Sequence, residues 1–399
     1  MRRCLLGFGL IALCFAVSTA ALSDVLPSDL KLEDVWTQGD VPQELLDTIE
    51  QTILSAIRGQ PIPGLMVGFD LGGSSRGILC FGWSDLQNSR PMNTSDSFYI
   101  GSATKMLTAA AILQLYERQA LDLDGRVSEY LDEIPTVWRN VTIRNLLEHT
   151  SGIPAYIATE EGQALRWTSE PVPYETVLDI LRQLPPDFPA GMDWQYTNSN
   201  FYLLGYIVES VTGLRYGEYM DTNIFGPLNM TYTGYDVSHR PSNLITAYRR
   251  DDLPDAEFTV YPLPNVSLVH GAGGVYSTTE DLLQWLDGWT SSAILSQESV
   301  DLMLSPLNVA DLPLGEKYGT GCMVWDASWT GLPLYAGHLG TIHGNLCFAV
   351  RFPEQQVSLV LYSNSYDLYD VLAGTAGGSS DRLHRQLAEI LLSHVEPES

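Results

Sequence analysis

Short apolar runs that read as strands lie toward both ends of this 399-residue chain and are scarce between them. Near the start, "GLMVGFDL" (64–71) and "GILCFGWSD" (77–85) flank "GGSSR", a strand–turn–strand pattern. Near the end come "TGCMVWD", "PLYAGHLG", "NLCFAVRF" and "VSLVLYSNS". The stretch between, through about 265, carries helical spacing and loops: "TIRNLLEH", "YETVLDILRQL", "NFYLLGYIVESVTG". Strands must pair side by side, so the two groups have to meet while the helical stretch loops out. This predicts an α+β fold, a mostly antiparallel sheet built from both chain ends, flanked by helices and carrying an inserted all-helical domain. The flanking helices are "VPQELLDTIEQTILSAI" (41–57), "EDLLQWLDGW" and the closing "DRLHRQLAEILLSHV". The expected divisions are a signal peptide at 1–21, a polar lead-in at 22–42, a sheet domain from 43–100 plus 266–399, and the insert at 101–265. A cleft between sheet and insert is the expected place for a site.

Composition narrows the function. The chain is 45% hydrophobic and 17% charged, which fits a globular protein with a large core. Its formal charge of −27 argues against binding nucleic acid or anionic membranes. The N-terminus reads as a secretory signal: Arg2 and Arg3, the apolar run "CLLGFGLIALCFAV", then small residues for cleavage near Ala20 or Ala21. That run is short for a membrane span, so a periplasmic or secreted protein is expected, without membrane association after cleavage. Cys4 and Cys14 leave with the signal. Cys80, Cys322 and Cys347 sit in apolar runs and read as buried thiols with at most one disulfide. No Cys/His cluster suggests a metal. Asn93, Asn140, Asn229 and Asn265 begin glycosylation sequons, relevant only in a eukaryotic source.

Lysine is nearly absent, with Lys31, Lys105 and Lys317 the only ones. Lys105 nevertheless opens an apolar helix, "GSATKMLTAAAILQLY" (101–116), three residues after Ser102. Positions i and i+3 share a helix face. A serine hydroxyl is a poor nucleophile until a neighbour takes its proton, and a desolvated lysine loses its charge and becomes a base. The spacing therefore suits Ser102 as nucleophile and Lys105 as its proton acceptor. By itself it fits equally an N-capping serine and a lysine reaching to solvent.

Two further stretches carry polar groups in suggestive places. In "WQYTNSNFYLLGYIVE" (194–209), Tyr196 and Asn198 precede an amphipathic helix. Tyr196 could relay a proton and Asn198 could hold a substrate carbonyl, though a packed tyrosine and an asparagine N-cap would read the same. In "LYAGHLGTIHGNLCFAV" (334–350), two strand runs flank a glycine-rich centre. Gly340 would let a ligand approach the backbone. The Thr341 amide, paired with that of Ser102, could form an oxyanion hole. His338 could supply a proton or a positive edge, although a lone histidine is commonly structural.

The order of these signals, S-x-x-K, then Y-x-N, then H-x-G before a strand, resembles the serine β-lactamase and penicillin-binding protein superfamily. It is most similar to the class C-like branch, with its D-alanyl-D-alanine carboxypeptidases, D-aminopeptidases and esterases. "LLEHTSGIP" (146–154), "NIFGPLNM" (223–230) and "GAGGVYSTTEDLLQW" (271–285) resemble the family as well, so the likeness runs over roughly 45–395. The resemblance implies acylation of Ser102, proton handling by Lys105 and Tyr196, and substrate contact at Asn198. It also implies an oxyanion hole from the Ser102 and Thr341 amides, with no cofactor or metal.

Class C enzymes carry Lys-Thr-Gly where this chain has His338-Leu339-Gly340, and the histidine resembles the carboxypeptidases. Leu339 replaces a threonine whose hydroxyl would help hold a substrate carboxylate; Thr341 could compensate in part. Between Lys317 and Arg351 there is no lysine or arginine, so carboxylate recognition looks weakened. An apolar cleft near "CMVWDASW" would suit an ester or a neutral acyl group. The resemblance thus implies a serine hydrolase acting on a small-molecule or peptide substrate. D-alanyl-D-alanine carboxypeptidase-like activity stands first, then esterase or β-lactamase activity, with a non-catalytic peptidoglycan- or protein-binding member as the rival.

Overall fold

The apolar runs lack polar alternation because both of their faces are covered. Along β2 (Gly64–Asp70) every residue is buried, yet successive side chains enter different cores: Leu65, Val67 and Phe69 one, Met66 the other. β3 (Arg76–Asp85) repeats the pattern, with Leu79 and Phe81 on one side and Ile78 and Cys80 on the other. The computed structural model describes residues 30–72, 75–235, 240–250, 257–307, 317–373 and 382–395. The expected signal peptide and the first part of the lead-in lie outside these residues.

The main sheet has nine strands. Besides β2 and β3 it contains β1 (Leu32–Gln38), β4 (Arg90–Pro91), β9 (Lys317–Tyr318), β10 (Met323–Trp325), β11 (Tyr335–Ile342), β12 (Asn345–Phe352) and β13 (Val357–Ser363). Their order is β1-β3-β2-β13-β12-β11-β10-β9, with β4 on β3, and every pairing is antiparallel. The two chain ends join where β2 meets β13, in the register Leu65↔Ser363, Val67↔Leu361 and Phe69↔Leu359. Two short pairs lie off this sheet: β5 (Phe98–Tyr99) with β8 (Tyr276–Ser277), and β6 (Tyr248–Arg249) with β7 (Thr259–Val260).

One face of the sheet is covered by α1 (Gln43–Ala56), α11 (Leu368–Ala373) and α12 (Leu383–Leu392). Leu45, Ile49 and Ile53 of α1 pack with Leu372 and Leu387 there. The other face meets α2 (Thr104–Glu117), followed along the chain by α3 (Ile143–Leu147), α4 (Glu160–Leu165), α5 (Tyr174–Arg182), α6 (Asn198–Thr212) and α7 (Tyr216–Met220). α8 (Thr279–Thr290) and α9 (Gln297–Leu304) then return the chain to the sheet, and α10 (Ala327–Thr330) follows β10. α2 is buried at every position from Thr104 to Leu115, as a helix apolar on all sides requires.

Two expectations need correction. The lead-in is not only a polar segment: Leu32–Gln38 is an edge strand on β3, with Val35 opposite Leu79 and Trp36 opposite Ile78. The 101–265 stretch is not all-helical, because β6 and β7 form a small hairpin inside it. Cys80, Cys322 and Cys347 are buried and unpaired. Among the described residues no helix is long and apolar enough to cross a membrane.

α8 packs closely on β2 at Gly68. A Cβ added there would sit 2.3 Å from Thr279 Cγ2. Gly68→Ala is expected to cost about 1–3 kcal/mol, read as a lower urea midpoint. An unchanged midpoint would show that the start of α8 moves aside freely.

Candidate active site

Ser102 sits in a single tight turn, Gly101–Ala103, that leads directly into α2. Two glycines from distant segments seat this turn against β11. Gly101 adopts φ +53°, and a Cβ on it would lie 2.8 Å from the Thr341 backbone. A Cβ on Gly340 would lie 1.9 Å from the Ile100 carbonyl oxygen. Neither position has room for a side chain, and the first also needs a left-handed backbone. The Thr341 main chain therefore lies beside Ser102, as an oxyanion hole shared by their amides requires. Gly340, expected from its neighbours to let a ligand approach, is also where the Ser102 turn packs closely on β11.

Lys105 is fully buried, and its Nζ lies 3.1 Å from Ser102 Oγ, 2.8 Å from Asn198 Oδ1 and 2.7 Å from Ala272 O. Burial pushes its pKa well below that of an ordinary lysine. The two shorter contacts go to carbonyl oxygens, which can only accept. The longest goes to a hydroxyl, which can donate. A neutral amine satisfies this set by giving its two protons to Asn198 and Ala272 and turning its lone pair toward Ser102. Nζ also lies 4.8 Å from the Tyr196 ring centroid and 5.7 Å from that of Phe201.

Tyr196 and Asn198 arrive from the start of α6. The helix cap is Thr197, whose side chain accepts from Ser199 N, so Asn198 is not the N-cap. Its carboxamide oxygen is taken by Lys105, so the side chain's remaining polar group is a donor, the amide nitrogen. The Tyr196 hydroxyl is hydrogen-bonded to Ser102; burial raises its pKa and that bond partly offsets the rise. Burial therefore favours the protonated phenol at Tyr196.

His338 is buried on the same face of β11. Its Nδ1 lies 2.6 Å from Leu339 O, so that nitrogen carries the proton, and Nε2 accepts from Tyr318 OH at 3.3 Å. Burial first, then the nearby Lys105, lowers its pKa to about 3. The expected positive edge is therefore absent: His338 is a neutral group, with its ring 6.2 Å from that of Tyr196. Leu339 is half-buried among apolar residues of the opposite face, while the Thr341 side chain is exposed. An apolar cleft is expected near "CMVWDASW", which holds Trp325 and Trp329; the side chain of Trp329 lies outside what the structure describes. Trp325 is buried and stacks on Tyr335 at 4.9 Å.

Several residues around the site had no role assigned from sequence. Tyr318 holds His338. His149 packs its ring 4.5 Å from that of Tyr196 and 4.8 Å from that of Tyr318. Its stretch, "LLEHTSGIP", stands out in the sequence, but nothing in the spacing places it under Tyr196. A cavity of about 780 Å³ lies away from Ser102, between α6, α7 and the His270 turn, lined in part by Tyr206, Glu209 and Tyr235. No cluster of metal-ligating side chains occurs among the described residues.

A family model described as Beta-lactamase matches residues 49–376. The chain belongs to the beta-lactamase family. Over 291 residues it is 31% identical to PbpX of Bacillus subtilis (strain 168), covering 71% of this chain and 66% of that protein. Over 299 residues it is 27% identical to a penicillin-binding protein of the same strain, covering 64% of it. The matched region thus spans less than two thirds of either relative. A D-stereospecific amidohydrolase from Streptomyces sp. superposes with a TM-score of 0.70 at 25% identity, over 86% of this chain and 97% of that one. D-amino acid amidase from Ochrobactrum anthropi SV3, complexed with L-phenylalanine amide, gives 0.74 at 21% identity, over 88% and 99%, and establishes the fold alone. Both fit the mixed α/β architecture with its large antiparallel sheet.

The glycine pair gives a direct test. Gly340→Ala should force the Ser102 turn off β11 and lower kcat/KM by about 100-fold, the scale for misplacement by roughly 1 Å. Wild-type turnover by this variant would show that the contact with Ile100 O does not set the site's geometry.

Proposed function

We propose that this family member is a serine hydrolase that forms an acyl-enzyme at Ser102 on amide or ester substrates, with D-alanyl-D-alanine carboxypeptidase-like activity foremost. The observation that carries this is the Lys105 amine, buried and bonded to two obligate acceptors while facing the Ser102 hydroxyl. Ser102 Oγ attacks the acyl carbon, and its proton passes to Lys105. The oxyanion is held by the Ser102 and Thr341 amides. The C–N or C–O bond then breaks as Tyr196, resupplied by Lys105, protonates the leaving group. Water repeats the sequence on the ester and restores Ser102. We further propose that the chain is exported by its N-terminal signal and acts outside the cytoplasm.

Similarity to a D-stereospecific amidohydrolase and to penicillin-binding proteins supports amide substrates with a D-configured acyl part. The charges around the sheet favour, as a second reading, substrates that lack a free carboxylate. Lys317 is 3.5 Å from Asp326, and Arg351 is buried 2.9 Å from Asp287. The cations that bracket β11 in sequence are therefore both engaged. Amides and esters with neutral leaving groups fit this arrangement, and a β-lactam fits it least.

Intact mass after incubation with benzylpenicillin, alongside Ser102→Ala, tests the reading. An adduct on the wild type alone is expected for a carboxypeptidase-like enzyme. No adduct, with hydrolysis of neutral p-nitrophenyl esters lost in Ser102→Ala, would select the second reading. No Ser102-dependent reaction with either would overturn the hydrolase assignment.

The pH dependence follows from the same groups. Lys105 must be neutral to take a proton, so kcat/KM should fall as pH drops through its lowered pKa. His338 stays neutral down to about pH 3 and adds no step above that. Lys105→Ala should lose at least about 100-fold in kcat/KM. A flat profile from about pH 5 to 9 would contradict the role given to Lys105.

A further inference from the structure

The two peptide N–H groups that flank Tyr196 are both held by one residue. Gln195 N–H donates to the His149 carbonyl oxygen at 3.0 Å, and Thr197 N–H donates to His149 Nδ1 at 3.3 Å. A peptide N–H can only donate, so Nδ1 carries the lone pair and the ring proton is on Nε2. The same lone pair faces the Asn200 side-chain amide at 3.0 Å. Asn200 is oriented in turn by Ser151, whose hydroxyl donates to Asn200 Oδ1 at 2.6 Å. The imidazole also packs on the Tyr196 ring itself, with centroids 4.5 Å apart.

We propose that His149 is a positioning residue for Tyr196. Its neutral imidazole fixes the main chain on either side of the tyrosine and the ring between, and so sets the Tyr196 hydroxyl against Ser102. The proposal rests on the roles given above to Ser102, Lys105 and Tyr196. Packing alone gives a poor account of this histidine. Its Nε2–H is buried without a partner, which costs about 1–3 kcal/mol. An apolar ring would fill the space without that cost, but would leave the Thr197 and Asn200 donors unanswered. His149 also adopts φ +58°, a left-handed backbone uncommon outside glycine, asparagine and histidine. That conformation lets carbonyl and ring converge on one loop. The groups facing the imidazole are Lys105 from α2, His338 from β11, Tyr318 from β9, Phe201 from α6, and Trp194 and Tyr196 from the loop itself. Burial, the largest cause, lowers its pKa well below the ordinary histidine value, which favours the neutral ring that accepts from Thr197 N–H.

The test compares His149→Ala with His149→Asn. Asparagine tolerates the left-handed backbone and places Oδ1 near the Nδ1 position, whereas alanine removes the acceptor. The probe is a fluorophosphonate, which forms a Ser102 Oγ–P bond, releases fluoride and passes the serine proton to Lys105. In full-length protein with an unchanged circular dichroism spectrum, His149→Ala should label about 10- to 100-fold more slowly, and His149→Asn within about threefold of wild type. Because His149 acts through Tyr196, His149→Ala should add little further slowing to Tyr196→Phe. Alanine at the wild-type rate, asparagine as slow as alanine, or full additivity with Tyr196→Phe would overturn the proposal. If the alanine variant does not fold, His149→Gln, whose amide lies one bond too far out, takes its place. Hydrogen exchange of the 194–200 peptide separates the two claims. An unlabelled wild type would overturn the hydrolase reading, while equal protection of that peptide in wild type and His149→Ala would overturn positioning.

Discussion

Everything around Ser102 depends on where the Lys105 amine is solvated. Among the described residues it has no carboxylate partner. Its hydrogen-bond partners come from three places: the Ser102 turn, the start of α6 and the turn at Ala272. A buried ammonium without a carboxylate is costly, and this desolvation is what lowers the Lys105 pKa. The support is itself built into α2. One turn on from Lys105, Thr108 donates to Gly271 O at 2.7 Å and meets Tyr216 OH at 2.7 Å, pinning the segment that presents Ala272 O. The base therefore exists only when sheet, helical stretch and return turn have met.

The second layer carries the same logic. His149 and His338 are held uncharged, and the phenols of Tyr196 and Tyr318 are held protonated, each mainly by burial. The charges that develop during acylation, on the oxyanion and on Lys105, would then be the largest in a poorly solvated space, where preorganised dipoles act most strongly.

Much of this was legible in the sequence, for a physical reason. Strand runs at both ends and helical spacing between them fix the sheet's assembly, because unpaired strands cannot stay buried. Ser102, Lys105, Tyr196 and Asn198 were legible because each belongs to a local spacing that the fold preserves. The edge strand at Leu32–Gln38 was not, since a half-exposed strand with acidic residues reads as linker. Gly101 and Gly340 gave a local signal of flexibility, but their partners, Thr341 and Ile100, lie far away in sequence. His149 was invisible for the same reason: its work is done on residues 195–200, and only tertiary contact reveals it.

The departure at His338 changes the electrostatics more than the motif's outline suggests. A lysine at this position would set a second cation beside Lys105, and mutual repulsion would help keep one of them neutral. With a neutral imidazole whose Nδ1 is tied to Leu339 O and whose Nε2 is tied to Tyr318, that help is gone. Desolvation alone then lowers the Lys105 pKa. β11 itself carries no lysine or arginine, and Arg351, the nearest such residue along the chain, is buried against Asp287 on the α8 side. Proton abstraction and carboxylate recognition are thus separated in this site. The first needs only a dry lysine, which is present. The second would need a cation that β11 and its neighbours do not leave free.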